Sequence, residues 1–389
     1  MVAVVVTGIG LVSALGKNLE DSWQQLIAGQ SGIRWHQPFP ELQARPLGMI
    51  AKQPAQMRVL THSVVTSALK DAGLFPPLPD CGVVIGSSRS YQGLWEQMAR
   101  QMHRGVGNKG DATPSSVSSS LEDWLETLPH MNAIAVARQI GACGIVLAPM
   151  AACATGIWAI AQAALLIQTG QCQRVIAGAV EAPITPLTIT GFQQMGALAK
   201  TGAYPFDLHR EGLVLGEGGA VFVLESAHLA YERQARVYGQ ILGFGLTCDA
   251  YHANAPEPEA KSAIAAVKQC LDRSHLSAKD IDYIHAHGTA TLLNDRIESI
   301  LIQRLFPKTV AVSSTKGATG HTLGASGALG VAFSLMAMKQ QILPPCVGLS
   351  NPEFDLNLVT ARQSKIQRVL CFSFGFGGQN AVIALAQES

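Results

Sequence analysis

A single cysteine, Cys153, lies in a run of small residues, MAACATG (150–156), and a long apolar run, IWAIAQAALLI, follows it. Free cysteine is often buried as a small hydrophobic residue, so a purely structural role has to be weighed first. A cysteine at the start of a helix has a different chemistry, because the helix N-terminus lowers the thiol pKa and favours the nucleophilic thiolate. The small neighbours of Cys153 would also let a substrate approach, so this thiol is a candidate nucleophile.

Two histidines and a lysine in glycine-rich motifs could complete such a site. His287 lies in IDYIHAHGTAT, and Lys316 and His321 lie in SSTKGATGHTLGASG. One glycine-flanked histidine alone would more often be structural. Catalytic side chains collect at strand ends in α/β folds, however, and two such histidines together with Cys153 favour a nucleophilic active site. A glycine-rich tail, FSFGFGGQN (372–380), adds backbone that can pass close to a ligand.

The composition limits the classes of protein to consider. The chain has 389 residues, of which 48% are hydrophobic and 14% charged, with 28 Lys and Arg against 27 Asp and Glu. That is enough apolar material for a large core and for about two domain-sized units. The balanced charge gives no general attraction to nucleic acid or to an anionic membrane. No apolar run is long enough to span a bilayer and no cationic leader is evident, so a cytoplasmic protein is expected.

The cysteines are scattered, without a CxxC pair or a cluster of cysteine and histidine. Zinc is therefore not expected, and the sequence predicts neither a metal nor a cofactor. Mostly reduced thiols fit a reducing compartment. The cysteines are Cys81, Cys143, Cys153, Cys172, Cys248, Cys270, Cys346 and Cys371.

The elements that must position these residues alternate between strands and helices. Strands are predicted at 2–10 and 81–88, and helices at 19–33 and 59–74, which together indicate an α/β fold. The stretch 104–120 is polar and rich in glycine and serine, so it is predicted to be a loop.

Both halves of the chain bring a strand to a glycine-rich turn from which a buried helix leaves. In the first half a strand predicted at 144–153 runs into Cys153, and an almost wholly apolar helix is predicted at 154–170. In the second half a strand predicted at 309–315 leads to the second histidine motif and then to a helix at 328–339. We interpret this repetition as an internal duplication.

The boundary between the halves is predicted near residue 230, after a strand at 220–226. That division gives an N-terminal half, 1–230, with the candidate nucleophile, and a C-terminal half, 231–389, with the two histidines. No linker-like stretch separates the halves, so they are expected to share one interface.

The chain resembles the β-ketoacyl-[acyl-carrier-protein] synthases, most closely their decarboxylating type I/II branch. The resemblance covers nearly the whole chain, and six motifs in the family's order carry it. They are ACATG, PFDLHREGLVLGEGGA (205–220), GFGLTCDAYH (243–252), HAHGTAT, SSTKGATGHTLGASG and FGFGG. The resemblance implies a thiolase-like α/β fold, with two similar halves in a five-layered αβαβα sandwich. It also implies a homodimer and an acyl carrier protein as the partner that brings the acyl and malonyl groups.

The implied reaction is a decarboxylative Claisen condensation that gives 3-oxoacyl-[acyl-carrier-protein]. Cys153 matches the nucleophile that carries the acyl group, and His287 and His321 match the pair that supports malonyl decarboxylation. Lys316 matches the lysine behind them, and Glu298 matches the acidic residue expected to pair with that lysine. A buried ammonium is costly unless it is paired, so Lys316 is expected to tune the electrostatics of the site and not to act as a base.

The remaining matched residues concern substrate binding. The backbone N–H groups of Cys153 and Phe376 are expected to form the oxyanion hole, with the Phe376 side chain as a gate. The residues matched to substrate or pantetheine binding are Thr289, Thr291, Phe206 and Asn380.

The chain departs from the family pattern at several positions. Asn294 stands where the family usually has glycine, Gln379 where it usually has threonine, and Asn254 where a threonine follows the D-x-Y-H motif. Residues 104–130 match the family poorly in a region expected to shape the acyl pocket, so acyl-chain length stays open. Apolar residues there are either pocket residues or one face of a surface helix; they are Trp124, Leu125, Leu128 and Met131.

Four alternative classes of protein have to be weighed against this interpretation. Thiolases have a second cysteine near the C-terminus that this tail lacks, since Cys371 lies just before it, and synthase III enzymes have asparagine where His321 stands. Partner subunits of heterodimers lack the nucleophile that Cys153 provides, but a cysteine alone does not prove turnover, so a catalytically weak partner subunit stays an alternative. A dinucleotide-binding oxidoreductase is disfavoured, because TGIGLVSALG has only Gly8-x-Gly10 and no third glycine at the required spacing. Within the synthases, fatty-acid elongation and a specialised-lipid or polyketide pathway both fit.

Overall fold

The computed structural model describes residues 2–106, 124–360 and 362–387. The loop predicted at 104–120 therefore lies largely outside the described residues, and its first three residues belong to a helix that ends at Val106. No helix in the described ranges combines the length and the apolar character that crossing a membrane requires.

Both halves of the chain contain helices and strands interspersed along the sequence. The first half contains β1 (Val4–Val12), α1 (Leu19–Ile27), β2 (Arg34–His36), β3 (Arg45–Leu47), α2 (Met57–Asp71), β4 (Gly82–Gly86), α3 (Gln92–Val106), α4 (Met131–Ile140), β5 (Val146–Leu147), α5 (Thr155–Gln168), β6 (Arg174–Glu181), α6 (Pro186–Gln194), β7 (Gly218–Ser226) and α7 (Ala227–Glu232). The second half contains β8 (Gly239–Cys248), α8 (Lys261–Ser274), β9 (Tyr283–His285), α9 (Leu292–Leu305), β10 (Ala311–Ser313), α10 (Lys316–Thr319), α11 (Ser326–Gln340), β11 (Ile342–Leu343), β12 (Asn357–Leu358), β13 (Arg362–Gln363), β14 (Arg368–Gly375) and β15 (Gln379–Ala386).

The main sheet has the same topology on both sides of its centre. Its order is β12-β10-β9-β14-β15-β8-β1-β7-β6-β4-β5, and β1 and β8 meet at the seam between the halves. Moving outward from β1, the pairings are antiparallel to β7, antiparallel to β6, parallel to β4 and parallel to β5. From β8 outward, the pairings to β15, β14, β9 and β10 follow the same sequence of directions. The boundary at residue 230 lies within α7 and stays a prediction.

Helices fill three layers around the two halves of the sheet. Helices α2 and α4 pack on the outer face of the first half, and α8 packs on the outer face of the second. The apolar helices α5 and α11 contact each other and strands of both halves, so they form the central layer. The predicted α/β class with a five-layered αβαβα arrangement is thereby confirmed. Burial on all sides explains why α11 is apolar around its whole circumference over residues 326–338. Helix α5 is buried except along one side, where Leu165 is exposed and Trp158 and Gln162 are partly buried.

The two glycines of β1 that raised the dinucleotide-binding alternative have a packing role. A Cβ atom at Gly8 would lie 2.5 Å from the carbonyl oxygen of Ala68, and one at Gly10 would lie 1.9 Å from that of Val64. Helix α2 therefore packs directly on the strand backbone, which only glycine permits. This close approach accounts for Gly8-x-Gly10 without a nucleotide.

The predicted strand that leads to Cys153 is shorter in the structure. The strand predicted at 144–153 is wrong beyond Leu147, because the chain turns at Ala152, whose φ is 47°. The Thr155 hydroxyl stabilises this turn: it accepts a hydrogen bond from the Ala151 N–H at 2.8 Å and donates to the Ala152 carbonyl oxygen at 2.6 Å. Similarly, β9 ends at His285, so His287 lies on the turn that follows the strand.

Candidate active site

The turn before α5 places Cys153 in a cavity of about 290 Å³. The same cavity is lined by His287 and His321 from the second half of the chain and by Phe376 from the turn between β14 and β15. The Ser373 hydroxyl donates a 2.8 Å hydrogen bond to the Cys153 carbonyl oxygen and so ties the two halves together beside the thiol. The residues that the sequence singled out first are therefore neighbours in space.

Burial controls the acidity of the Cys153 thiol. It raises the pKa of Cys153 to about 11, and the positive charges of Lys316 and Arg89 offset it only in part. A hydrogen bond from the Phe376 backbone N–H also lowers the pKa. The expectation of a lowered pKa is thus wrong as a net result, because the thiol is only 7% exposed. With its pKa raised in this way, the resting thiol is expected to keep its proton at neutral pH.

The two histidines are neutral and each has one ring nitrogen occupied. Their ring centroids are 5.4 Å apart and the rings are nearly perpendicular. Burial, together with the nearby Lys316 charge, lowers the pKa of both well below 6.5. Nδ1 of His321 contacts the Ser326 hydroxyl at 2.8 Å, and Nδ1 of His287 contacts Lys316 Nζ at 3.4 Å. Since Lys316 can only donate to this Nδ1, the proton of His287 is on Nε2.

Lys316 is held by the backbone of the histidine motif and not by a carboxylate. Its Nζ donates to the His287 carbonyl oxygen, and burial lowers its pKa. Glu298 and Lys316 form no ion pair, although both lie in the described part of the chain. The expected pairing is therefore corrected: the Glu298 carboxylate accepts hydrogen bonds from the N–H groups of His287 at 2.6 Å and Gly288 at 2.7 Å. Glu298 thus fixes the turn that presents His287.

The pKa of Glu298 reflects its burial. Burial and the neighbouring Asp295 raise it to about 7, against the lowering effect of the two backbone N–H groups and of Lys316.

The cavity wall includes three of the four residues matched to substrate binding. They are Thr289, Thr291 and Asn380. The hydroxyls of the two threonines are 2.9 Å apart, and the Asn380 amide donates to Asp249 at 2.7 Å. The gate residue Phe376 stacks on Phe192, with ring centroids 5.9 Å apart.

Phe206, the fourth residue matched to substrate binding, does not line this cavity. It is fully buried and packs edge-on against Phe354. A Cβ atom at Gly288 would lie 2.9 Å from the Phe206 ring, so this side chain supports the backbone beside His287. The prediction that Phe206 contacts substrate is corrected accordingly.

Sequence reasoning missed Glu181, which connects the halves beside the thiol. Its buried carboxylate accepts hydrogen bonds from the Ser87 hydroxyl at 2.7 Å, the Ser88 and Arg89 N–H groups at 2.8 and 2.9 Å, and the Gly324 N–H at 3.0 Å. A carboxylate that ends the otherwise apolar strand VIAGAVE was a signal that could have identified it.

Sequence reasoning also missed His285, a buried histidine two residues before His287. Its Nε2 contacts the Thr315 hydroxyl at 3.1 Å and its Nδ1 contacts the Cys371 thiol at 3.7 Å. Thr315 immediately precedes Lys316, so this buried histidine supports the turn that carries the lysine.

The apolar residues at 124–131 do not line the cavity of their own protomer. Trp124 and Leu125 are about half exposed, and Met131 packs with the outer helices of the first half. An acyl-length preference set by these side chains would therefore require them to reach the cavity of a partner subunit. Among the described residues, no group of three or more His, Cys, Asp or Glu is arranged to hold a metal ion.

Comparisons with known proteins match both halves of the chain to one family. The model described as the N-terminal domain of β-ketoacyl synthase matches residues 50–230, and the model of the C-terminal domain matches residues 238–350. The 3-oxoacyl-[acyl-carrier-protein] synthase 2 of Synechocystis sp. is 33% identical over 98% of this chain and 97% of its own. The chain belongs to the β-ketoacyl synthase family.

Two further relatives of this β-ketoacyl synthase show the range of the family. A Schizosaccharomyces pombe relative, named as a mitochondrial 3-oxoacyl-[acyl-carrier-protein] synthase, is 33% identical over 98% of each chain. A solved ketosynthase of a type II polyketide synthase, bound to a hexaketide and in complex with its acyl-carrier protein, is 27% identical, with a TM-score of 0.91 over 100% of each chain. The resemblance identified from the motifs is therefore confirmed over the whole chain, and so is the fold.

The buried histidines make this β-ketoacyl synthase sensitive to acid. Burial lowers the pKa of His285 to about 3 and holds His287 and His321 well below 6.5. Below pH 6.5 the unfolded chain takes up protons that the native site excludes, so stability present above that pH is lost as the pH falls. Each such imidazole contributes up to about 1.4 kcal/mol per pH unit. The buried carboxyl groups of Glu298, Asp295 and Glu217, whose pKa values burial raises, act in the opposite sense and offset part of this loss.

We therefore expect the free energy of unfolding to fall between pH 6.5 and 5.5, and to fall less steeply in the His321→Ala variant. Urea denaturation at several pH values measures it. A stability that is flat or rising towards pH 5.5 would contradict neutral burial of these rings.

Proposed function

We propose that this protein catalyses the decarboxylative condensation of an acyl group, held as a thioester on Cys153, with malonyl-[acyl-carrier-protein]. The observation that carries the proposal is the shared cavity of Cys153, His287 and His321. In it both imidazoles are neutral and have Nδ1 occupied, so each can direct Nε2 to a substrate. This arrangement suits a thiol nucleophile beside two neutral hydrogen-bond donors.

The first half-reaction transfers the acyl group. The Cys153 sulfur attacks the thioester carbonyl carbon, and its proton leaves with the departing carrier thiol. The oxyanion of the tetrahedral intermediate accepts hydrogen bonds from the backbone N–H groups of Cys153 and Phe376. Collapse of the intermediate breaks the bond to the carrier sulfur and leaves the acyl group on Cys153.

The second half-reaction forms the carbon–carbon bond. The bond from the malonyl carbon to its carboxylate breaks, CO₂ leaves, and the electron pair forms an enolate whose oxygen accepts hydrogen bonds from Nε2 of His287 and His321. The enolate carbon then attacks the acyl carbonyl. The Cys153 sulfur leaves and regains a proton, and the product is a 3-oxoacyl thioester on the carrier. Lys316 and Glu298 act through His287, one at its ring and one at its backbone.

The carrier and a second copy of the chain are the proposed partners. Thr289, Thr291 and Asn380 line the path by which the thioester-bearing arm reaches Cys153. A homodimer is supported by β5, which is the terminal strand of the main sheet within one protomer. Such an edge is normally covered or paired. Eight free cysteines fit a reducing compartment, and we place the protein in the cytoplasm.

Purified protein incubated with acyl-carriers of graded chain length and malonyl-carrier tests the proposal. We expect this protein to form a 3-oxoacyl-carrier product without a second, different subunit. Each turnover should include one condensation, as fatty-acid elongation requires. Repeated condensations before release would favour the polyketide alternative, to which the solved hexaketide complex is similar. Acylation of Cys153 without product would indicate a subunit that needs a different partner. Absence of both would refute the function.

A further inference from the structure

Asn294 stands between the active-site cavity and the buried carboxylates behind it. It is the third residue of α9 and lines the cavity of Cys153. It also lines a small adjoining cavity with Glu298 and Asp249.

Both N–H bonds of the Asn294 amide are used by carboxylates. Nδ2 lies 3.1 Å from Asp295 Oδ1 and 3.2 Å from Glu298 Oε2. Both carboxylates are fully buried, and the only cation paired with either among the described residues is Arg210, 3.8 Å from Asp295. Two like charges in a buried site are costly unless donors are shared between them. The amide nitrogen supplies such a donor and so helps to hold Glu298 against the His287 backbone.

The amide oxygen of Asn294 has a different surrounding. No described residue donates a hydrogen bond to it, and it is not among the buried polar atoms that lack a partner. The nitrogen bonds to the two carboxylates and the residue lines the cavity of Cys153, so the oxygen is the amide atom available to a ligand there. Thr289 and Thr291 line the same cavity as Asn294. A ligand with an N–H group that lies beside these threonines would donate a hydrogen bond to the Asn294 amide oxygen.

We propose that Asn294 positions the substrate arm as well as Glu298: its amide oxygen accepts a hydrogen bond from a secondary amide N–H of the thioester-bearing arm. The inference rests on the proposed function, since a pantetheine arm carries such amides and a simple thiol does not. Asn294 is thereby a specificity residue for thioesters whose thiol portion contains an amide.

Two acyl donors separate this role from a purely structural one. The test compares acylation of Cys153 by an acyl-pantetheine thioester with acylation by an ethyl thioester of the same acyl group. In Asn294→Gly we expect kcat/KM for the pantetheine donor to fall about tenfold more than kcat/KM for the ethyl thioester, as the loss of one hydrogen bond predicts. Arg296→Gly, at an exposed position of the same helix, is the matched control and should leave the ratio unchanged.

A second variant separates the two ends of the amide. Asn294→Asp keeps an acceptor oxygen but loses the donors and adds a third carboxylate. We expect it to keep the preference for the pantetheine donor while malonyl decarboxylation falls at least about tenfold, because Glu298 is no longer held. If Asn294→Gly does not fold, Asn294→Ala, which also lacks a side-chain acceptor, is used with the same expectation.

Equal losses for both donors in Asn294→Gly would overturn the inference, as would loss of the preference in Asn294→Asp. Failure of the wild-type protein to be acylated by either donor would instead refute the proposed function.

Discussion

Cys153→Ala is expected to lose condensation by at least about 10⁴-fold, because removing the nucleophile of an acyl-transfer enzyme costs that much or more. The fold should survive. The cysteine backbone keeps its hydrogen bond from Ser373, and only one buried sulfur atom is lost. A melting temperature within about 4 °C of the wild type would show this. Incubation with an acyl-carrier thioester, followed by peptide mass analysis, should place one acyl group on the wild-type peptide that contains Cys153 and none on the variant.

Cys248 supplies the control for this experiment. It is an exposed thiol near the glycine-rich turn, with its sulfur 3.4 Å from the Gly377 carbonyl oxygen. Cys248→Ala should acylate and condense at the wild-type rate. If the acyl group is found on Cys248 or on another cysteine in the wild type, Cys153 is not the nucleophile.

The second large effect is expected to separate the two half-reactions. His321→Ala removes one of the two donors to the enolate, so malonyl decarboxylation should fall at least about a hundredfold. Acylation of Cys153 should stay near the wild-type rate, because the oxyanion donors of that step are backbone N–H groups. His287→Ala should behave in the same way. Release of labelled CO₂ and the rate of acyl transfer, measured on one preparation, give the two numbers.

His321→Asn refines this test. The asparagine amide can still donate a hydrogen bond into the cavity, so it should recover part of the decarboxylation that alanine loses. A comparable loss of acyl transfer in the alanine variants would contradict the division of roles, since it would make the histidines necessary for both steps. No recovery with asparagine would argue that the ring, and not its N–H, is needed.

Much of the site could be predicted because its signals are local. Cys153, His287 and His321 stood out by residue type and by their glycine-rich neighbours, and the cavity brings all three together. The expected α/β class followed from alternating strands and apolar helices, and the five-layered arrangement from the family resemblance. These features depend on short stretches of chain, which a single sequence displays.

The errors concern contacts between distant segments. Glu298 was expected beside Lys316, yet backbone N–H groups eleven and ten residues earlier hold it instead. Phe206 was assigned to substrate, whereas the chain packs it beneath Gly288. The thiol pKa was expected to be low from its place at a helix end, but burial dominates. Each outcome depends on what surrounds the side chain in three dimensions, which local pattern does not contain.

The repeated topology of the sheet has a consequence for how this catalyst can change. The turn from β5 to α5 carries the thiol, and the turn from β10 towards α11 carries Lys316 and His321. These two turns occupy equivalent positions in the two halves of the sheet but carry different side chains. In the proposed reaction, acyl storage belongs to one half of the chain and carbanion generation to the other. A single substitution in either turn therefore abolishes acyl storage or carbanion generation and leaves the residues for the other task intact. Lineages that start from such a chain have a one-step route to a subunit that only accepts acyl groups or only releases CO₂.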